Sequence, residues 1–129
     1  MMRVLIVDKL RLFCHTLKVV LQREDDMRVV GCVTTAEEAL HQVPHCDVVL
    51  VNTTAEDADS VHLVRQITSH QPGVKVLVVG ISEMSDQILQ YVEAGASGYI
   101  LKEDSVELLL EKVRAAEKDE AFVSPQIAA

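Results

Sequence analysis

The chain has no tryptophan and only 3% aromatic residues, two tyrosines and two phenylalanines in 129 positions. Its core is therefore expected to be aliphatic, and no indole is there to stack on a flavin. Glycine is scarce, five in all, and none gather into a loop that would cradle a phosphate: the segment after the first apolar run reads Asp8-Lys-Leu-Arg11. A flavodoxin-like cofactor enzyme needs such a cradle and is disfavoured. Cys14, Cys32 and Cys46 are odd in number and have no CxxC spacing, which suits a reducing cytoplasm better than a disulfide framework. Cations are outnumbered, 12 Lys and Arg against 20 Asp and Glu, for a net charge of −8. A phosphate backbone repels such a surface, so this stretch is not expected to bind DNA by itself. No apolar run approaches the ~20 residues of a membrane span and the start carries no signal-peptide pattern, so no membrane partner is expected.

What the chain does have is 49% hydrophobic residues and a strict alternation of short apolar runs with longer amphipathic segments. Residues 3–8, 27–33, 48–51, 74–79 and 98–101 read as strands. The run Val48-Val-Leu-Val51 is apolar on both faces and β-branched, as a strand buried inside a parallel sheet reads. Between them, residues 9–23 form a helix with Leu10, Phe13, Leu17, Val20 and Leu21 on one stripe. Thr34 with Glu37, or Thr35 with Glu38, opens a second helix that Pro44 ends. Residues 57–70 form a third, with Val61, Val64 and Ile67 inward, and residues 82–94 a fourth, stopped by Gly95. Asp104 caps a fifth through residue 117, with Val106, Leu109, Leu110 and Val113 as its stripe. Five β-α units with buried strands imply an α/β, flavodoxin-like (βα)5 three-layer sandwich with a parallel sheet in the order 2-1-3-4-5. That order brings Asp8 and Asn52, which end strands 1 and 3, to one rim, with Lys102 approaching from strand 5.

Four segments in this order, Arg3-Val-Leu-Ile-Val-Asp8, Asp47-Val-Val-Leu-Val51, Glu93-Ala-Gly-Ala-Ser-Gly-Tyr-Ile-Leu-Lys102 and Phe122-Val-Ser-Pro125, together resemble the receiver domain of two-component response regulators, with the nearest likeness to the LuxR/NarL type. The resemblance implies a pocket in which an acidic pair after strand 1 and an aspartate ending strand 3 hold magnesium. It also implies that this aspartate takes a phosphoryl group from a histidine kinase, that a Ser or Thr after strand 4 and a Lys after strand 5 contact that group, and that an aromatic on strand 5 reports the switch. Carried over position by position, the acidic pair falls on Asp8 and Lys9, the phosphoacceptor on Asn52, the hydroxyl on Gly80, the switch aromatic on Tyr99 and the lysine on Lys102. The Met-Pro-Gly loop usual after the acceptor is Ala55-Glu56-Asp57 here.

These departures act on one chemistry. An amide is neutral and its nitrogen lone pair is delocalised, so Asn52 is no nucleophile toward a phosphoryl group. Magnesium wants hard, charged oxygens, yet Asp8 faces two ammonium groups, Lys9 and Lys102: the family's pocket charge of −2 becomes +1. No magnesium or other cofactor is expected, and Gly80 offers no hydroxyl. Two outcomes stay open for the rim. It either closes on itself, with Asp8 paired to Lys9 or Lys102 and Asn52 bonded into the cluster, or it holds an anion such as phosphate or a small acidic metabolite.

His41, His45 and Cys46 are close in sequence, but Pro44 breaks the helix that would align them, so they are read as surface residues rather than a metal site. Glu24-Asp25-Asp26 is read as a solvated end. Leu10 and Cys14 sit where the resembled family usually has polar residues, and the first helix is apolar around much of its circumference; these two, with Leu108 on the last helix, are candidates for a partner or self-association surface. The expected whole is a phosphorylation-independent, receiver-like regulatory domain over residues 1–117, without enzymatic turnover, cytoplasmic, acting by dimerisation or protein–protein contacts, with an anion-sensing domain as the alternative. Residues 118–129 read as the start of a linker to a carboxyl-terminal helix-turn-helix, through which alone DNA would be bound.

Overall fold

Strand segments rich in Val, Ile and Leu pair side by side in a computed structural model that describes residues 1–53, 58–82 and 86–118. The strands are β1 (Met2–Val7), β2 (Met27–Val33), β3 (Val48–Asn52), β4 (Lys75–Ile81) and β5 (Gly98–Leu101). All neighbours are parallel, in the order β2-β1-β3-β4-β5. The helices are α1 (Arg11–Gln22), α2 (Ala36–Gln42), α3 (Ala58–His70), α4 (Ile88–Glu93) and α5 (Val106–Glu117). The expected α/β sandwich and its strand order are what forms.

The pleat sorts each strand into two cores. Leu5, Val7, Val49, Val51, Val76 and Val78 face α2, α3 and α4, where Val64, Ile67 and Tyr91 cover them. Val4, Ile6, Val48, Leu50 and Leu77 face α1 and α5, against Cys14, Leu21, Val113 and Ala116. Each fully buried Val, Leu or Ile contributes roughly 1.5–3 kcal/mol relative to exposure, and β1 and β3 are buried on both faces almost throughout. Burial also pushes two thiols up, Cys14 to about 12 and Cys46 to about 11, so both stay protonated; all three cysteines are free.

Several local expectations shift. On α1 the buried residues are Cys14 and Leu21, while Leu10 and Phe13 are 57% and 53% exposed. Leu10 and Phe13, at one end of the apolar stripe, thus face outward, and the buried face is centred on Cys14 and Leu21. On α5, Val106 is likewise exposed and Val113 and Ala116 hold the core. Thr35, not Thr34, caps α2: its hydroxyl accepts from the Glu38 N–H and donates to the Glu38 carboxylate. Pro44 does not simply stop the helix but enters a 3-10 turn, Val43–His45, as the missing N–H permits at a first turn. Ser105, rather than Asp104, caps α5, accepting from Leu108 N–H. Asp104 accepts instead from the Leu101 N–H and from Lys112 Nζ at 2.6 Å, a lysine that also donates to the Tyr99 carbonyl. Glu24 and Asp26 are not merely solvated: Arg114 grips both, tying the end of α5 to the turn before β2. The Ala55-Glu56-Asp57 loop, the Phe122–Pro125 motif and all of the proposed linker except Lys118 lie outside the described residues, as does the expected start of the third helix at Asp57.

Candidate functional site at the carboxyl rim of the sheet

Asp8 leaves β1 with its N–H donated to the Val33 carbonyl and its side chain 6% exposed. One carboxylate oxygen, Oδ1, accepts the Leu10 N–H at 2.8 Å. That bond closes an Asx turn leading into α1, whose N-cap residue, Leu10, has no side chain able to cap the helix. The other oxygen, Oδ2, accepts from Asn52 Nδ2 at 2.6 Å. A carboxylate at position 52 would offer two negative oxygens at this distance and repel. The amide instead supplies a donor, so β1 and β3 are joined side chain to side chain at the rim. Asp8 thus takes its side-chain hydrogen bonds from Leu10 and Asn52, so of the arrangements expected for a rim closed on itself, the amide contact forms.

Gly80 completes this arrangement from β4. It lies within the strand rather than after it, at an irregularity where Val79 pairs with Ile100 and Ile81 with Leu101. Its φ is +84°, and a Cβ there would lie 2.8 Å from Asn52 Oδ1. A bulge with a left-handed glycine re-aims the strand end beside the site. The space a hydroxyl-bearing side chain would fill is taken by the Asn52 carbonyl oxygen.

Lys102 follows β5, held by its N–H to the Ile81 carbonyl. It is exposed, and its ammonium makes no hydrogen bond or ion pair to a described residue. Asp8, Lys9, Asn52, Gly80 and Lys102 all line one cavity of about 660 Å³. Most of its wall is apolar and comes from α1 and α5, including Leu10, Phe13, Leu17, Val20, Val106 and Leu109. The five rim positions expected to share a pocket are therefore brought together, and the pocket continues into a groove between two helices that sequence reasoning had not seen. Its signal was available: Leu10, Phe13, Leu17 and Val20 recur at helical spacing on one stripe.

The remaining candidates separate. Tyr99 is 4% exposed and packs in the core, with Lys112 Nζ 5.6 Å from its ring centre. Cys14 is fully buried and its thiol reaches the Ile6 carbonyl; with no surface to present, it drops out as an interface residue, whereas Leu10 is exposed and Leu108 half-buried. Thr53 was missed: its hydroxyl meets the Tyr91 phenol at 2.6 Å in the core just behind Asn52. His41 and His45 are exposed, and among the described residues no three His, Cys, Asp or Glu side chains gather as metal ligands. No described helix is long and apolar enough to cross a membrane.

Comparison with known proteins agrees with this architecture. A relative from Brevibacillus brevis, the transcriptional regulatory protein DegU, is 29% identical over 127 residues, covering 97% of this chain and 54% of that protein. The chain thus spans little more than half the length of that curated relative. The crystal structure of a LuxR-family two-component response regulator from Aurantimonas sp. SI85-9A1 superposes with a TM-score of 0.85 at 25% identity, covering 98% of this chain and 92% of that one. The isolated REC domain of RcsB from Salmonella enterica serovar Typhimurium superposes equally well, TM-score 0.85, at 18% identity over 99% of this chain and 96% of that chain, a likeness of fold alone. The response regulator receiver domain matches residues 4–114, and this chain belongs to that family.

Proposed function

We propose that this receiver domain regulates without phosphoryl transfer and acts through contacts with other proteins, as the amino-terminal domain of a cytoplasmic LuxR-type transcription regulator. The observation that carries this reading is the 2.6 Å bond from Asn52 Nδ2 to Asp8 Oδ2. The residue in the acceptor position is an amide, which is no nucleophile, and it occupies the carboxylate nearest to it. The magnesium that the family implies does not fit this donor set. Asp8 has both oxygens engaged by N–H donors, Asn52 turns its donor nitrogen toward it, and the neighbouring residue is Lys9. A hard divalent ion seeks carboxylate and carbonyl oxygens in number. No step of the domain's work is therefore routed through a metal, and the domain turns nothing over.

Protein contact is supported by the surface of α1, where Leu10, Leu12, Phe13 and Val19 are each more than half exposed. Apolar residues grouped in this way mark interaction sites more often than isolated ones do. Homodimerisation or docking of a second domain would use this face. DNA would be reached only through a helix-turn-helix beyond residue 129, joined by the linker that residues 118–129 begin.

The alternative reading, a domain that senses an acidic small molecule, is favoured by one specific observation: Lys102 lines a cavity and has no counter-ion among the described residues. Amide resonances of Asp8, Asn52 and Gly80, followed by two-dimensional NMR as magnesium and then beryllofluoride are added, test the main proposal. Unmoved resonances are the expected result. Saturable shifts centred on these three residues would contradict it.

A further inference from the structure

The groove between α1 and α5 shares Leu10 and Phe13 with the contact face proposed above, but its lysine-bearing end has no part in that reading. We infer that it is a ligand site for an amphiphilic acid, with an apolar body lying between the two helices and a single carboxylate at Lys102. The inference deepens the small-molecule alternative above and rests on Lys102 not being taken up by phosphoryl chemistry.

Size comes first. A cavity of about 660 Å³ lies inside the 300–1,000 Å³ range of sites that enclose small organic ligands. Wall chemistry sets the body of the ligand. Leu10, Phe13, Leu17, Val20, Val106 and Leu109 line it, and Leu10, Phe13 and Val106 are 57%, 53% and 49% exposed. Both tyrosines are buried in the core, at 1% and 4% exposure, so in a chain with four aromatic residues Phe13 is left on the groove wall. An apolar body placed there would remove this surface from water at roughly 25 cal/mol per Å².

Charge sets the head. The charged residues, Asp8, Lys9 and Lys102, collect with Asn52 where the groove meets the rim, while Thr16 adds one neutral hydroxyl to the α1 wall. Lys102 is exposed and without a described partner, so an acidic head meets an ammonium that no internal pair must release. Lys9 at this end has an interaction of its own, and Asp8, already engaged by Asn52 and the Leu10 N–H, adds a carboxylate there. It disfavours a polyanion there by like-charge repulsion, so a monocarboxylate fits better than a phosphate ester. A wholly polar anion would leave the apolar walls wet, and a wholly apolar molecule would leave Lys102 unanswered.

Isothermal titration of the 129-residue chain with octanoate, octan-1-ol and inorganic phosphate tests the site, with Lys102→Met and Phe13→Ala as variants. Both positions are exposed, and circular dichroism melts establish that each variant is folded; Val106→Ala stands in for Phe13→Ala if that variant does not fold. Octanoate is expected to bind one per chain. Lys102→Met should weaken octanoate about tenfold, the loss of one charge-assisted contact, and leave octan-1-ol unchanged. Phe13→Ala should weaken both about tenfold. The inference is overturned if octanoate does not bind, if it binds the wild type and the variants alike, or if phosphate binds as tightly as octanoate. It is also overturned if sedimentation velocity shows the chain pairing through this face, with pairing lost in Phe13→Ala and octanoate inert, because a second copy then fills the groove. A phosphoryl adduct formed from acetyl phosphate would end the functional proposal, whereas these titrations are read on the chain without acetyl phosphate, so the two failures are separable.

Discussion

Asn52 and Gly80 are matched to each other. The amide of residue 52 needs its carbonyl oxygen to sit where a side chain at position 80 would begin, and glycine at φ +84° leaves that space open. Gly80→Ala is therefore expected to destabilise the domain by about 2 kcal/mol, from left-handed strain plus displacement of Asn52, read as a lower urea midpoint at unchanged slope. A second residue-scale prediction concerns Lys112, which is only 8% exposed and bonds Asp104 Oδ2 and the Tyr99 carbonyl. Removing it leaves the Asp104 carboxylate without its cation, so Lys112→Met should cost about 3 kcal/mol, measured by the same unfolding titration. The rim residues were legible in the sequence because each polar residue follows a short apolar run and the fold forces strand ends together. Lys112 was not, since a lysine on an amphipathic helix reads as a solvated position. Its spacing to Leu109 and Ala116 was the hint, and only the close approach of Asp104 made it decisive.

At the scale of elements, α1 shows where periodicity fails. Apolar residues occur at positions 10, 12, 13, 17, 19, 20 and 21, so more than one face satisfies a 3.6-residue repeat. Cys14, small and fully buried, fixes the phase in the structure, and thiols carry little weight in a hydrophobic pattern. The consequence is measurable within one helix. Leu21→Ala, at 0% exposure, should lose about 3 kcal/mol to transfer and cavity terms. Leu12→Ala, at 75% exposure, should stay within about 0.5 kcal/mol. Chemical denaturation of the two variants decides this; equal losses would put the wrong face of α1 in the core.

Over the whole molecule, the five-strand order was legible because alternating β and α segments with right-handed crossovers leave few alternatives. The long-range ties were not, since nothing local joins Arg114 to a turn nearly ninety residues earlier in the chain. Arg114 binds Asp26 and Glu24. Its side-chain hydrogen bond holds the Asp26 carboxyl below its ordinary value, as Arg3 does for Asp47. Folded-state values below the unfolded one mean stability that is fully present above the unfolded value of about 3.9 and is lost as pH falls through the folded value. Arg114→Met should therefore melt lower than wild type at neutral pH, and the two curves should converge as pH falls through the folded Asp26 value. A gap that persisted unchanged into acid would show that Arg114 acts by packing alone.

The same whole-molecule view makes the rim a framework whose charge no longer suits phosphoryl transfer. Its most direct test is intact mass spectrometry after incubation with acetyl phosphate and magnesium, run on the wild type and on Asn52→Asp. The account predicts an unmodified mass for the wild type. It predicts little or no adduct for Asn52→Asp, because Lys9 still faces the site and Gly80 still lacks a hydroxyl. A stoichiometric phosphoryl adduct on the wild-type chain would contradict the account outright.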